Sequence, residues 1–442
     1  MLREILKRNK SGECCGIESY CTADPLVIET CLQSGLRTGK PVLIEATANQ
    51  VNQFGGYTGM KPEDFRDMVY EKAALVGLPH EQIILGGDHL GPLTWCALPE
   101  SEAMALAEEL VRCFVRAGFE KIHLDTSMRL GSDSPDEPLP VRTVAERGAA
   151  LFAACQDEYA KLLAERPGAI PPVYIIGSEV PIPGGATEEE SSITVTSPDA
   201  LRGTVETYRE VFARHGLDSA FENIVGIVVQ PGVEFGDDGF FRYDREKAKA
   251  LMTAARSVPG LVLEGHSTDY QPREALREMV ADGVAILKVG PALTFALREG
   301  LFALSDIERE LIPPEERADF PAVLERLMLE NDSNWRRHYH GTPEELRLKR
   351  KYSLSDRCRY YLSAPEARSA VEKLFANIDG VSVPLGLMRQ YLPMQYGLIS
   401  AASGRIKARD IVKEFVFQAI SDYNYGVAPK QQFCRRIRCF QN

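Results

Sequence analysis

The sequence lacks the segments that insert a chain into a membrane or export it. No run of residues approaches the roughly 18 consecutive apolar residues that a membrane-spanning helix needs. The N-terminal segment MLREILKRNKSGE is charged and has no apolar core of the kind found in signal peptides. We therefore expect a cytoplasmic protein with no membrane partner.

Basic residues are too few for general nucleic-acid binding. The 442 residues include 51 Lys and Arg against 63 Asp and Glu, which gives a formal net charge of −12. A chain of this sign offers no broad positive field to attract phosphates. Disorder is also excluded, because 44% of the residues are hydrophobic.

Cysteine is present without the pattern of a redox or metal motif. There are 10 cysteines, but no two of them form a C-x-x-C pair. We interpret them as small apolar residues in a reducing compartment.

Eight short apolar runs alternate with helical stretches over the first 300 or so residues. The runs cover residues 14–17, 41–47, 82–88, 121–125, 172–179, 224–230, 261–266 and 285–290. Most are almost continuously apolar, as strands buried on both faces of a parallel sheet are. This order predicts a (β/α)8 barrel. A doubly wound open sheet is the rival, but no glycine-rich phosphate fingerprint follows the first run.

The pattern changes after about residue 305. We predict a barrel over residues 1–305 and a helical C-terminal region over 306–442, packed on the barrel or used by a partner subunit. We also expect a homo-oligomer.

Nearly every apolar run ends in a polar or charged residue. Ligand sites of barrels are built where the carboxyl ends of the strands meet. The strand-end residues that we predict to lie together are Glu45, Asp88, His89, His123, Asp125, Glu179, Gln230, Glu264, His266 and Lys288.

Histidine and carboxylate residues in this set predict a divalent-metal site. His89 and His266 end different strands, and the barrel would bring them together. A catalytic metal site uses about three protein ligands, and Glu179 and Gln230 are the candidates to complete it. His123 is either a ligand or a substrate contact. Asp88, next to His89, is a candidate general acid or base.

Loops after the strands carry candidate substrate-binding groups. Asn49 and Gln50 begin a loop rich in amides and glycines, which suits a polyhydroxylated ligand such as a sugar. Lys288 lies on the last strand, and the segment Ser267, Thr268 and Asp269 follows the strand before it. Barrels commonly bind phosphate in the loops after these two strands. Arg357 is a basic candidate from the helical region.

Several long motifs together resemble the tagatose-bisphosphate aldolase non-catalytic subunit family, the KbaZ/GatZ group. The motifs are IEATANQVNQFGGYTGM, ILGGDHLGP, KIHLD, GSEVPIPGG, IVVQPGVEF, EGHSTDYQ, ILKVGPALTFALRE and YSLSDRCRYY. The resemblance runs from about residue 17 to residue 425.

The resemblance implies a metal-binding barrel related to class II aldolases, with zinc as the expected ion and manganese or magnesium as alternatives. Asp88 and His89 match the aldolase proton-transferring Asp and metal-binding His. Glu179 and His266 match further positions of that pattern. Gln230 departs from it, because the aldolase pattern has a metal-binding His there.

The resemblance implies two functions. The first is a 4-epimerase that interconverts D-tagatose 6-phosphate and D-fructose 6-phosphate by retro-aldol cleavage, with Asp88, Glu45 or Asp125 moving the proton of the C4 hydroxyl. The alternative is an accessory subunit that stabilises a separate class II aldolase subunit and has no chemistry of its own. The strand-end acids favour the epimerase. Kinase activity is excluded, since the sequence has no phosphate-binding P-loop.

Overall fold

The structure, a computed structural model, describes residues 1–178, 180, 193–401 and 406–429. Eight parallel strands close into a barrel. Helices surround the strands, so the predicted (β/α)8 barrel is confirmed. The barrel strands are β1 (Ile17–Cys21), β2 (Val42–Thr47), β3 (Ile83–Leu90), β4 (Lys121–Leu124), β5 (Val173–Ile176), β6 (Ile224–Val229), β9 (Val262–Gly265) and β10 (Val284–Val289). Around the barrel they follow the order β1-β10-β9-β6-β5-β4-β3-β2. Strands β7 (Glu234–Phe235) and β8 (Phe240–Phe241) form a separate antiparallel pair.

Fifteen α-helices lie within the described residues. The first nine are α1 (Leu2–Lys10), α2 (Pro25–Thr38), α3 (Pro62–Val76), α4 (Glu100–Ala117), α5 (Val141–Glu165), α6 (Pro198–Arg214), α7 (Arg245–Ser257), α8 (Arg273–Asp282) and α9 (Pro291–Leu311). The helices that follow are α10 (Phe320–Glu330), α11 (Pro343–Tyr352), α12 (Pro365–Asp379), α13 (Leu385–Tyr391), α14 (Tyr396–Ala401) and α15 (Ala408–Val427). None of the helices in these ranges is long and apolar enough to cross a membrane.

Local sequence signals set the ends of the barrel helices. In α2, Pro25 occupies the first turn and the Asp24 carboxylate accepts the backbone N–H groups of Leu26 and Val27. Gly39 ends this helix with φ of 68°, a left-handed conformation that glycine adopts without a steric penalty.

The first strand lies later than the sequence predicted. The apolar run 14–17 ends where β1 (Ile17–Cys21) begins. The strand was missed because polar residues interrupt it, and Ser19 uses its hydroxyl inside the barrel to donate a hydrogen bond to Glu45 Oε1 at 2.7 Å. The other seven predicted runs overlap the remaining barrel strands.

Helix α1 closes the amino-terminal end of the barrel. Its Leu2 and Leu6 belong to one buried apolar cluster with Ile17, Leu43 and Ile84 from the strands. Burial of such side chains contributes roughly 1.5–3 kcal/mol each. The apolar cluster therefore seals the amino-terminal end of the barrel, and the predicted site residues lie toward the carboxyl ends of the strands.

The helical region continues directly from the barrel. Helix α9 (Pro291–Leu311) runs through the predicted boundary at residue 305, so that boundary falls inside a helix. Helix α15 packs against α2, α8 and α9. The last described helix thus lies on the outer surface of the barrel.

All eight cysteines within the described residues are free thiols. Cys434 and Cys439 lie outside these ranges.

Candidate functional site

A cavity opens at the carboxyl ends of the barrel strands. Barrel proteins bind their ligands at this end. The predicted site residues that line the cavity are Asn49, Gln50, Asp88, His89, His266, Ser267, Asp269 and Lys288.

Three histidines form a triangle at the base of this cavity. The ring centroids of His89 and His123 are 5.0 Å apart, those of His89 and His266 are 4.9 Å apart, and those of His123 and His266 are 5.0 Å apart. Together with Asp88, they offer ligand atoms that all lie within 4.8 Å of one another. The prediction that polar residues at the strand ends lie together therefore holds for these four residues, although they come from distant parts of the sequence.

Each of these imidazoles has one ring nitrogen next to a carboxylate. His89 Nδ1 lies 2.8 Å from Asp125, and His266 Nε2 lies 2.9 Å from Glu264. His123 Nδ1 lies 3.0 Å from Asp88 Oδ1. The His89 backbone N–H also approaches His123 Nδ1, at 3.2 Å. The charge-assisted bond to the Asp88 carboxylate is the stronger of the two and places the proton on Nδ1.

The remaining ring nitrogens fit a metal ion. Metal-binding histidines commonly donate their second N–H to a carboxylate, which fixes the ring orientation. His123 is fully buried, and its Nε2 has no hydrogen-bond partner. An orphaned nitrogen in a buried polar cluster is costly unless a ligand satisfies it. Burial lowers the pKa of His266 to about 3, which keeps that imidazole neutral, as metal ligation requires.

Two buried lysines hold the acids of the barrel interior in a network. Lys121 Nζ lies 2.8 Å from Glu45 Oε1 and 2.8 Å from Glu264 Oε2. Lys288 Nζ lies 2.9 Å from Glu45 Oε2 and contacts Asp88. All five side chains are buried.

The carboxylates that the sequence predicted as proton acceptors are ion-paired or buried. Burial opposes ionisation of Asp88, but His89 and Lys288 hold its pKa well below the ordinary value. Burial also opposes ionisation of Asp125, but the contact with His89 outweighs this effect and lowers the pKa of the carboxyl below its ordinary value. Glu45 is 0% exposed and does not line the cavity. Asp88 and Asp125, stabilised as anions in this way, are weak bases.

The glycine pair before Asp88 serves packing. A Cβ at Gly86 would lie 2.6 Å from Glu45 Cγ, and a Cβ at Gly87 would lie 2.4 Å from Leu90 Cδ1. The absence of a side chain at both positions makes room for neighbouring side chains of the barrel.

Two predicted metal ligands, Glu179 and Gln230, do not belong to the cluster of three histidines and Asp88. Gln230 Oε1 accepts the backbone N–H groups of Gly232 and Val233, at 2.8 and 3.0 Å. Because this oxygen stabilises its own turn, Gln230 is corrected to a structural residue. Glu179 lies outside the described residues.

Two predicted substrate contacts are also placed elsewhere. The Thr268 hydroxyl is buried and donates to the Lys288 carbonyl at 2.6 Å, so it joins the ends of β9 and β10. Arg357 does not line the cavity; its Nε donates to the Asn334 carbonyl. Its neighbour Arg359 lines the cavity instead.

The alternation of side chains along a strand explains why Glu264, which the sequence predicted, and Lys121, which it missed, both belong to the network. Residues two apart on a strand face the same side. Lys121 is two residues from His123, and Glu264 is two residues from His266. Both therefore face the barrel interior. For Arg359, Tyr360 and Tyr57, which also line the cavity, no such signal existed because they lie on irregular segments.

Asp269 caps the last barrel helix. Its Oδ1 accepts the backbone N–H groups of Gly290 and Ala292, at 3.0 and 2.8 Å, at the start of α9. Burial nevertheless raises its pKa to about 6. The acid therefore stays protonated to a higher pH in the folded chain than in the unfolded chain.

Replacing Asp269 by asparagine is expected to stabilise the fold at pH 7.5. The amide oxygen still accepts both N–H groups without a buried charge, and a pKa rise of this size corresponds to roughly 2–3 kcal/mol. In the wild type, this contribution to stability is complete below about pH 4 and is lost as the pH rises to about 6. Urea unfolding from pH 4.5 to pH 8 measures the effect. Equal stability of both proteins at pH 7.5 would contradict it.

The fold and the site define a (β/α)8-barrel protein with a buried centre of three histidines and ion-paired carboxylates. The chain belongs to the D-tagatose-1,6-bisphosphate aldolase subunit GatZ/KbaZ-like family, whose model matches residues 2–428. The resemblance seen in the sequence motifs is therefore confirmed.

Curated relatives match almost end to end. The D-tagatose-1,6-bisphosphate aldolase subunit GatZ of Klebsiella pneumoniae subsp. pneumoniae is 46% identical over 429 residues, which cover 96% of this chain and 99% of the relative. The protein of the same name from Salmonella dublin is 45% identical, over 97% of this chain and 99% of the relative. A crystal structure from Sinorhizobium meliloti 1021, described as a probable tagatose 6 phosphate kinase, is 44% identical, with a TM-score of 0.83 over 93% of this chain and 100% of that one.

These names overturn one prediction. We expected a metal-dependent sugar-phosphate epimerase, because acids at so many strand ends suggested catalysis. The relatives from Klebsiella and Salmonella carry the name of an aldolase subunit. The epimerase prediction is therefore wrong, and the accessory alternative is the better supported one.

Proposed function

We propose that the chain is an accessory subunit of a class II D-tagatose-1,6-bisphosphate aldolase, acting in the cytoplasm by binding and stabilising the catalytic subunit. The observation that carries this proposal is the 46% identity to a named aldolase subunit over 99% of its length. Identity of this extent leaves no major part of the relative without a counterpart in this chain.

The interior of the barrel supports the proposal. The acids that a catalyst would use as proton acceptors are already engaged with Lys121, Lys288 and the histidines. A stabilising subunit needs no free base at that position. The charges have a structural role, since they neutralise one another inside the barrel.

The role predicts a measurable complex. The chain, mixed with the catalytic subunit of the same aldolase, is expected to co-elute with it in size-exclusion chromatography and to lengthen the half-life of aldolase activity at elevated temperature. The chain alone is expected not to cleave D-tagatose 1,6-bisphosphate. Bovine serum albumin at the same concentration controls for nonspecific protection. Separate elution, together with an unchanged half-life, would rule the role out.

We further propose that His89, His123 and His266 hold a divalent metal ion. Imidazole ligands suit zinc better than magnesium, which prefers oxygen ligands. The orphaned Nε2 of His123 and the carboxylate on each imidazole support this assignment. When bound, such an ion would serve as a structural link between the three imidazoles. Asp88, Asp125 and Glu264 would orient the rings.

A further inference from the structure

Two arginines beside the cavity have no acidic partner. Arg357 and Arg359 lie in the 3-10 turn Arg357–Tyr361, which follows α11. In the part of the chain that the structure describes, neither guanidinium has a carboxylate oxygen within the 4.0 Å of an ion pair. Both instead donate to neutral oxygens.

The other buried arginines of the described ranges show how unusual this is. Arg147 reaches Asp133 at 2.7 Å, Arg298 reaches Asp356 at 3.1 Å, and Arg350 reaches Glu325 at 2.6 Å. Arg357 is 6% exposed and has no such partner. A charge removed from water without a counter-charge destabilises the fold. In a chain with a net charge of −12, acids to pair with it are not scarce.

The hydrogen bonds of Arg359 hold its guanidinium in place but do not neutralise it. Nη1 donates to the carbonyls of Ser355 and Asp356, the latter at 3.0 Å, and Nη2 lies 3.2 Å from the Tyr360 hydroxyl. The guanidinium carbon lies 4.6 Å from the centre of the Tyr360 ring. A guanidinium has five N–H donors, so this arrangement fixes the group and leaves donors for a ligand.

Two neighbouring groups respond to the positive potential. Burial alone would raise the pKa of Tyr360, yet Arg359 and Arg357 bring that pKa below its ordinary value. Burial, together with the same two arginines, lowers the pKa of His338 to about 4. The pKa values of Tyr360 and His338 thus both indicate a locally positive potential around Arg357 and Arg359, although the protein as a whole is acidic.

The positively charged surface formed by Arg359 and its neighbours faces the barrel cavity. Arg359 and Tyr360 line the cavity that also contains His89, His266 and Ser267. The Tyr57 ring packs on Tyr360 with centroids 4.7 Å apart, so the barrel loop and the helical region meet at this point. Arg357 does not line the cavity, but its charge, like that of Arg359, acts on Tyr360.

We propose that Arg359, reinforced by Arg357, forms a subsite for the phosphoryl group of a ligand that enters the barrel cavity. Two unpaired positive charges match a group that carries about −1.5 to −2 at pH 7. The fork of a guanidinium binds phosphate oxygens through two parallel hydrogen bonds. The helical region after the barrel thereby completes the cavity with a charge that the strands do not supply. The subsite is a property of the chain alone and does not depend on the accessory role.

Calorimetric titration of the purified full-length chain with inorganic phosphate tests the proposal. The titration is run at constant ionic strength and without any aldolase subunit. Saturable binding by the wild type is expected, and Arg359→Gln is expected to weaken it about 10- to 100-fold, as for a lost hydrogen bond to a charged group. Arg359→Lys, which keeps the charge but loses the fork, is expected to fall in between, and it serves as the test if Arg359→Gln does not fold.

The matched control is Arg142→Gln. Arg142 is an exposed residue of α5 that pairs with Glu210, and its replacement changes the net charge by the same amount. Phosphate affinity is expected to be unchanged in this variant. No phosphate binding by the wild type, or equal affinity in a folded Arg359→Gln or Arg359→Lys variant, overturns the subsite. Acetate bound as tightly as phosphate overturns the phosphoryl assignment.

Discussion

Replacing Lys121 by methionine is expected to lower the free energy of unfolding by about 3–5 kcal/mol, the range for a broken buried ion pair. Lys121 Nζ lies 2.8 Å from both Glu45 and Glu264, and all three side chains are 0% exposed. Methionine fills most of the space but leaves two buried carboxylates with less positive charge between them. Urea unfolding at pH 7.5, followed by circular dichroism, measures the loss.

Two variants show whether the effect comes from the buried charge. Arg142→Met removes a basic residue from an exposed pair with Glu210 and is expected to change stability by at most about 0.5 kcal/mol. Adding Glu264→Gln to Lys121→Met removes one of the stranded carboxylates and is expected to restore part of the loss. A loss below about 1 kcal/mol for Lys121→Met would mean that the network does not stabilise the barrel as described.

The sequence predicted the barrel because a parallel sheet covered on both faces requires nearly unbroken apolar strands. Strands such as β6 (Ile224–Val229) have this pattern without interruption. Strand β1 does not, because Glu18 and Ser19 interrupt it. Polar residues inside a barrel hide a strand from this kind of prediction, and they do so where the interior is functional or charged.

The location of the site was predictable, but the pairing of its residues was not. The strand-end rule placed His89 and His266 at one cavity, as the structure has them. It could not show that Gln230 would use its oxygen on its own turn, since that depends on the local backbone. The same reasoning grouped His123 with His89 and His266, but it could not show that the His123 Nε2 would be left without a hydrogen-bond partner.

The strand-end acids misled the functional prediction for a physical reason. A barrel interior that contains Lys121 and Lys288 needs counter-charges at the same depth, and Glu45, Glu264 and Asp88 supply them. Acids at strand ends therefore indicate a charged interior as readily as a catalytic one. Contacts separate the two cases, because a catalytic base must be free to accept a proton.

Replacing His123 by alanine is expected to lower zinc affinity by more than about 100-fold. Changing a residue that only supports a metal ligand costs about 10- to 100-fold, and loss of a ligand costs more. Asp88→Asn is expected to fall within that smaller range, because Asp88 Oδ1 lies 3.0 Å from the Nδ1 of His123. Metal content after dialysis, measured by plasma mass spectrometry, and competition with a zinc-binding dye give the affinities.

Gln230→Ala separates this site from the aldolase-like pattern that the sequence suggested. If His123 has taken the place of the third ligand, zinc affinity in Gln230→Ala is expected to equal that of the wild type. Circular dichroism establishes that each variant is folded before its metal content is compared. Retention of zinc by a folded His123→Ala variant, with loss from Gln230→Ala, would restore the original ligand set. His123 lies in strand β4 and is 0% exposed. Its replacement by alanine therefore leaves a small void in the barrel interior and does not alter the opening of the ligand cavity, which His123 does not line.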